Sequence, residues 1–103
     1  MNDCIFCKIA NKEIPSEILY ENDYIFVIKD INPKAPIHLL VITKEHYTNL
    51  NEINNENLLG EIFKGIKEVC KKLDIKEYKT LINTGKSAGQ EVFHFHAHIL
   101  ANK

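Results

Sequence analysis

The sequence predicts an α+β fold, an antiparallel sheet with one main helix laid across it, and three observations carry that prediction. Two short β-branched and aromatic runs flank a loop holding two prolines, one later stretch sets its apolar residues at helical spacing, and the final run alternates histidine with Phe, Ala and Ile. A chain of 103 residues is expected to form one domain, 1–103, because that length buries roughly two-thirds of its unfolded surface around a single core.

In chain order, Ile18-Leu19-Tyr20 is expected to pair as a hairpin with the strand at 24–29. A second strand at 37–43 follows the loop Asp30-Ile31-Asn32-Pro33-Lys34-Ala35-Pro36, whose prolines forbid a continuous strand. Both runs are apolar on adjacent positions, the pattern of strands covered on two faces. Leu58, Leu59, Ile62, Phe63, Ile66, Val69, Cys70 and Leu73 mark a helix over about 55–73, with Asn54 or Asn55 as its N-cap. Gly60 and Gly65 weaken that helix and allow close packing on the sheet. A strand at 78–83, a glycine-containing turn at 84–90 and a last strand at 92–100 complete the order.

The balance of 13 Lys, no Arg and 14 Asp+Glu gives a net charge of −1, which argues against nucleic acid as a partner. It also removes the bidentate arginine clamp, so any phosphate must be held another way. No run approaches the ~18 apolar residues of a membrane span and the N-terminus lacks the features of a secretory signal, so a cytoplasmic protein without membrane contact is expected. Cys4, Cys7 and Cys70 cannot all pair, and a reducing compartment would keep them as thiols.

In Val92-Phe93-His94-Phe95-His96-Ala97-His98-Ile99-Leu100, a period of two puts three imidazoles on one face, roughly 6.6–7 Å apart, with Phe95, Ala97 and Ile99 opposite. A neutral imidazole is a competent nucleophile toward phosphorus at neutral pH. Cys4-x-x-Cys7 supplies half of a tetrahedral zinc site, and His46 and His94 are the completing pair if neighbouring strands bring them together. Redox chemistry and free thiols are the alternatives for the two cysteines. Cys70, on the apolar helix face, reads as a small core hydrophobe.

His94 to Leu100 resembles the signature of the histidine triad family, His-φ-His-φ-His-φ-φ with φ apolar. Cys4 to Ile9, Lys12 to Pro15, Asp30 to His38, Lys44 to His46 and Gly89 to His94 are similar to the Hint branch, the nucleoside phosphoramidases. That resemblance implies a homodimer whose sheets join across the two-fold axis, and a purine nucleotide ligand of the AMP or GMP type. It implies hydrolysis of nucleoside 5′-phosphoramidates or adenylated amines through a nucleotidyl-histidine on His96. His98 would contact the phosphate and help move a proton to the leaving amine, and His38 would orient the site. Asn83, Gly89, Gln90, Glu91 and Val92 would line the phosphate, Asp30 would accept from the ribose hydroxyls, and Phe6, Ile9, Ile28 and Ile31 would hold the base. Some bacterial members carry a Cys/Cys/His/His site, which implies one structural Zn2+ per chain at Cys4, Cys7, His46 and His94.

Eukaryotic Hint proteins often have Ser where this chain has Glu91, so the resemblance leaves the leaving group open. Three other readings compete with the phosphoramidase: a dinucleoside polyphosphate hydrolase of the same superfamily, a non-catalytic nucleotide-binding or interaction protein, and a metalloenzyme with zinc on His94, His96 and His98. The last is disfavoured because three same-face positions of one strand span too far to reach one ion.

Overall fold

The structure, a computed structural model, describes residues 4–102. A short helix α1 (Ile5–Ala10) is followed by strands β1 (Tyr20–Glu21), β2 (Ile25–Lys29) and β3 (Ile37–Thr43), then a 3-10 turn at Leu50–Glu52. The long helix α2 (Glu56–Lys72) leads to β4 (Lys79–Leu81), a 3-10 turn at Lys86–Ala88, and β5 (His96–Ala101). The five strands form one sheet in the order β1-β2-β3-β5-β4, with every neighbouring pair antiparallel. The α+β class, the antiparallel sheet and its single main helix are those the sequence predicts.

Helix α2 forms where the periodicity places it. The Asn55 side chain accepts from the Leu58 N–H at 3.1 Å, satisfying one orphan donor of the first turn. Its apolar stripe, Leu58, Ile62, Ile66, Val69 and Cys70, is buried against one face of the sheet with Ile25, Val27, Leu39, Val41, Ala97 and Ile99. Gly65 sits where a Cβ would lie 2.6 Å from Ile25 Cδ1, so the close approach of helix and sheet requires glycine there; at Gly60 nothing lies within 4 Å. The opposite face carries a second cluster, in which Phe6 and Ile9 of α1 cover Phe26, Ile28, Leu40 and Ile42. The strands are thus covered on both faces, which is why they read as continuous apolar runs.

Several expected boundaries move. The predicted strand at 24–29 begins at Ile25, and the one at 78–83 shrinks to Lys79–Leu81. The hairpin partner of β2 is Tyr20–Glu21, registered as Tyr20 opposite Val27. The last strand starts at His96 rather than residue 92, because the Phe95 N–H is donated to Tyr47 O at 2.6 Å rather than to a neighbouring strand of the sheet. Helix α1 is not predicted from sequence: six residues are too few to form a helix without tertiary support. No helix among the described residues is long and apolar enough to cross a membrane.

Candidate active site and metal knot

The site occupies the sheet face opposite α2, beyond the part that α1 covers. Cross-strand register places Leu40 opposite His98 and Ile42 opposite His96, so the two histidines share a face with His38 two residues upstream on β3. On the other side of β5, Phe95, Ala97 and Ile99 are buried in the main core, as the alternation predicts. The row of three imidazoles is corrected to two. His94 lies before the strand, fully buried, with its ring turned away from the row and into a cluster of thiols.

That cluster gathers Cys4, Cys7, His46 and His94, whose donor atoms all lie within 4.8 Å of one another. Cys4 caps α1, accepting the Cys7 N–H on its sulfur at 3.4 Å, so the six-residue helix holds both thiols toward the same point. His94 Nδ1 is 3.2 Å from Cys4 Sγ, 3.4 Å from Cys7 Sγ and 3.1 Å from His46 Nδ1, and Cys7 Sγ is 3.2 Å from His46 Nδ1. A tetrahedral zinc ion with ordinary Zn–S and Zn–N bonds separates such donors by about 3.4–3.8 Å, a few tenths of an ångström more.

Proton placement agrees with this geometry. His94 Nε2 is 2.7 Å from Thr43 O, and a carbonyl can only accept, so Nε2 carries the proton and Nδ1 presents its lone pair to the cluster. Burial pushes the His94 ring down to about 4, which keeps it neutral and able to ligate. The four residues therefore lie close enough to bind a metal ion, with His94 presenting an unprotonated nitrogen to it. Cys7 lies in α1 and Cys4 caps it, and each thiol faces an imidazole.

His96 stands next to this knot. Its Nδ1 lies 2.8 Å from the carbonyl of His94, so Nδ1 donates and Nε2 carries the lone pair. Phe6 meets the His96 ring edge-on at a centroid distance of 5.2 Å, fixing its plane. Burial lowers the affinity of His96 for a second proton. Burial, reinforced by the neighbouring His96 and His38 rings, pushes His98 down to about 4. Both rings are neutral at pH 7.

His38 is the buried partner of His98, with Nε2 2.9 Å from His98 Nδ1 and 3.4 Å from Asp30 Oδ2. The other oxygen of Asp30 accepts the Asn32 N–H at 2.8 Å, closing the turn that leads into the two prolines. Sequence reasoning brings His38 to this site but does not find Lys34, whose backbone N–H donates to His38 Nδ1 at 3.0 Å.

The remaining predicted ligand residues fall into two groups. Gly89 adopts a left-handed φ of +100°, and a Cβ there would lie 3.7 Å from the Asn83 amide, so the turn brings Asn83 and the Gly89 backbone together. Gln90 is buried. Its Oε1 accepts the Gly85 N–H at 2.8 Å, and its Nε2 donates to Thr48 O at 2.7 Å and to Val92 O at 3.1 Å. The Gln90 side chain is therefore spent on shaping the loop. Glu91 is exposed and Val92 half-buried. Phe6, Ile9 and Ile28 are buried in the smaller core cluster, whereas Ile31 is 91% exposed on the Asp30 loop.

A family model described as HIT domain matches residues 11–103. The chain belongs to the HIT family. It is 50% identical over 103 residues to protein HitA of Neisseria gonorrhoeae, covering 97% of this chain and 96% of that protein. A HIT family hydrolase from Clostridium thermocellum superposes with a TM-score of 0.92 at 45% identity, over 100% of this chain and 93% of that one. A HIT family hydrolase from Legionella pneumophila gives 0.90 at 37% identity, over 98% and 94%. The two cysteines of the cluster precede the segment that the family model matches, whereas His46 and His94 lie within it.

Proposed function

We propose that this HIT protein is a nucleotidyl hydrolase that cleaves purine nucleoside 5′-phosphoramidates or adenylated amines through a nucleotide covalently held on His96. The single observation that carries this reading is the hydrogen bond of His96 Nδ1–H to the His94 carbonyl, which leaves a neutral, oriented lone pair on Nε2. The kinship with proteins described as HIT family hydrolases supports hydrolysis at the level of the family.

In this scheme Nε2 of His96 attacks phosphorus and the P–N bond breaks with its electron pair on the amine. The amine takes up one solvent-derived proton while hydrogen-bonded to His98, and water then cleaves the nucleotidyl-histidine, releasing the nucleoside monophosphate and restoring His96. Asn83, the backbone N–H groups of Glu91 and Val92, and His98 hold the phosphate in place of the missing arginine, on a turn that Gly89 and Gln90 shape through their own N–H bonds to Lys86 O and Gly85 O. Asp30 accepts from the ribose, and Ile31 with the edge formed by Phe6, Ile9 and Ile28 receives the base.

One zinc ion per chain at Cys4, Cys7, His46 and His94 completes the scheme as a structural element. Four protein donors leave no open position for a reacting water. The free edge of β4, with exposed Leu81, and the exposed Phe63 on α2 suit pairing with a second copy, consistent with a homodimer. The reduced cysteines fit a cytoplasmic setting.

The test measures turnover and affinity together. His96→Ala is expected to abolish hydrolysis of an AMP phosphoramidate, with AMP binding held within about threefold, since base, ribose and loop contacts supply the affinity. Near-normal hydrolysis by the variant overturns the assignment.

A further inference from the structure

We propose that the backbone N–H of Lys34 is a positioning group that decides which nitrogen of His98 carries a proton. The inference builds on the functional reading above, but its first step is geometric. Lys34 N–H donates to His38 Nδ1 at 3.0 Å, and a nitrogen that accepts has no proton, so neutral His38 is protonated at Nε2. That Nε2–H lies 2.9 Å from His98 Nδ1. His98 Nδ1 must then accept, and the His98 proton sits on Nε2, which has no hydrogen-bond partner among the described residues. No buried side-chain nitrogen or oxygen among those residues lacks a partner, so this atom faces solvent on the site side.

One main-chain amide thus polarises two rings in series. With the opposite tautomer of His38, two N–H groups would confront each other at 3.0 Å. His98 would then be turned round, showing an acceptor where the departing amine or a phosphate oxygen needs a donor.

The loop is built to hold that amide in place. Asp30 N–H donates to His38 O at 2.9 Å, Asp30 Oδ1 accepts the Asn32 N–H at 2.8 Å, and Pro33 and Pro36 stiffen the segment between them. Asp30 Oδ2, 3.4 Å from His38 Nε2, favours a proton on the same nitrogen. The lysine side chain is exposed and makes no hydrogen bond to either ring; its charge reaches His98 only as the weakest of the influences that disfavour a second proton there.

The experiment compares Lys34→Ala, which keeps the amide, with Lys34→Pro, which removes it. In uniformly 15N-labelled protein as purified, His38 Nδ1 and His98 Nδ1 are expected to show the shifts of unprotonated nitrogens. A scalar coupling across the hydrogen bond should join Lys34 N to His38 Nδ1. Lys34→Ala preserves these signals, while Lys34→Pro loses the coupling and lets both rings populate either tautomer.

For an AMP phosphoramidate with an alkylamine leaving group, kcat should fall about tenfold in Lys34→Pro, less than the ~10²–10⁴ ascribed to a whole general acid. KM should stay within about twofold. The loss should shrink for the nitrophenyl ester of AMP, whose leaving group needs no proton.

A proton on His38 Nδ1 in the parent protein overturns the inference, as does unchanged tautomer composition in a folded Lys34→Pro. If that variant does not fold, the parent coupling decides alone. Parent protein that shows the coupling yet hydrolyses no phosphoramidate supports the amide's role and overturns the substrate reading instead.

Discussion

Removing the zinc proposed for Cys4, Cys7, His46 and His94 should cost the protein a large part of its thermal stability, and the structure sets the scale. The ion would tie α1 to two distant points of the chain, since Cys7 and His46 are 39 positions apart and Cys7 and His94 are 87 apart. Closing a 39-residue loop removes unfolded-state entropy worth about 4 kcal/mol in the chain-entropy treatment of cross-links. The segment from His46 to His94 closes a second loop of 48 positions, worth about as much again. For a domain of this size each kcal/mol moves Tm by roughly 4–8 °C, so about 15 °C or more is at stake.

Helix α1 should unravel first, since its six residues hold few turns of their own and Cys4 is its cap. The assay is elemental analysis followed by thermal melting with and without a chelator, at fixed pH, on the parent and on Cys4→Ser with Cys7→Ser. The parent should carry about one zinc per chain, as a closed four-donor site implies, and the double variant should melt like the chelated parent. Zinc-free protein as purified, with a Tm indifferent to chelation, would refute the reasoning and return the cysteines to free thiols.

Three other outcomes follow from the same geometry. Asp30→Ala should weaken binding of ribonucleotides while leaving 2′,3′-dideoxy analogues nearly unaffected, as titration calorimetry can show; equal loss for both would mean that Asp30 serves only His38 and the Asn32 turn. Gly65→Ala should destabilise by about 1 kcal/mol, because the added methyl meets buried Ile25 and overpacking outweighs helix propensity, whereas Gly60→Ala in open space should gain up to ~1 kcal/mol; urea midpoints of the two variants falling on the same side of the parent would contradict this. His98, held down to about 4 when folded against 6.5 in the unfolded chain, leaves the unfolded state binding more protons, so its contribution is intact above pH 6.5 and is lost as pH falls toward 4. The stability difference between the parent and His98→Asn should narrow or invert across that window, and a difference independent of pH would contradict the assignment.

The parts of this molecule legible in the sequence are those that local chemistry decides. Helix α2 announces itself through Asn55 and seventeen residues of consistent spacing, and β3 through a run that two prolines cut cleanly at its start. His96 and His98 share a face because alternation along a strand admits nothing else. What could not be read depends on distant partners. The last strand begins late because Tyr47 O captures the Phe95 N–H, and helix α1 exists because Phe6 and Ile9 have Phe26 and Leu40 to cover. The proton positions on His38, His94 and His96 are set by main-chain groups of Lys34, Thr43 and His94, which no side-chain motif encodes. Gln90 carries the plainest lesson: its place in a family motif suggested ligand contact, and its side chain proves to be committed elsewhere.

That commitment reaches beyond the loop itself. Three hydrogen bonds from one buried amide lock the turn from Gly85 to Val92 onto Thr48, so its shape is settled during folding rather than on the arrival of a ligand. The N–H groups of Gly85, Ala88, Gly89 and Gln90 are likewise spent inside the loop, so a ligand docking there as proposed would meet a segment with little freedom left to surrender and would lose little affinity to ordering. On the proposed reading, a chain without a single arginine would hold a phosphate by rigidity where others rely on charge.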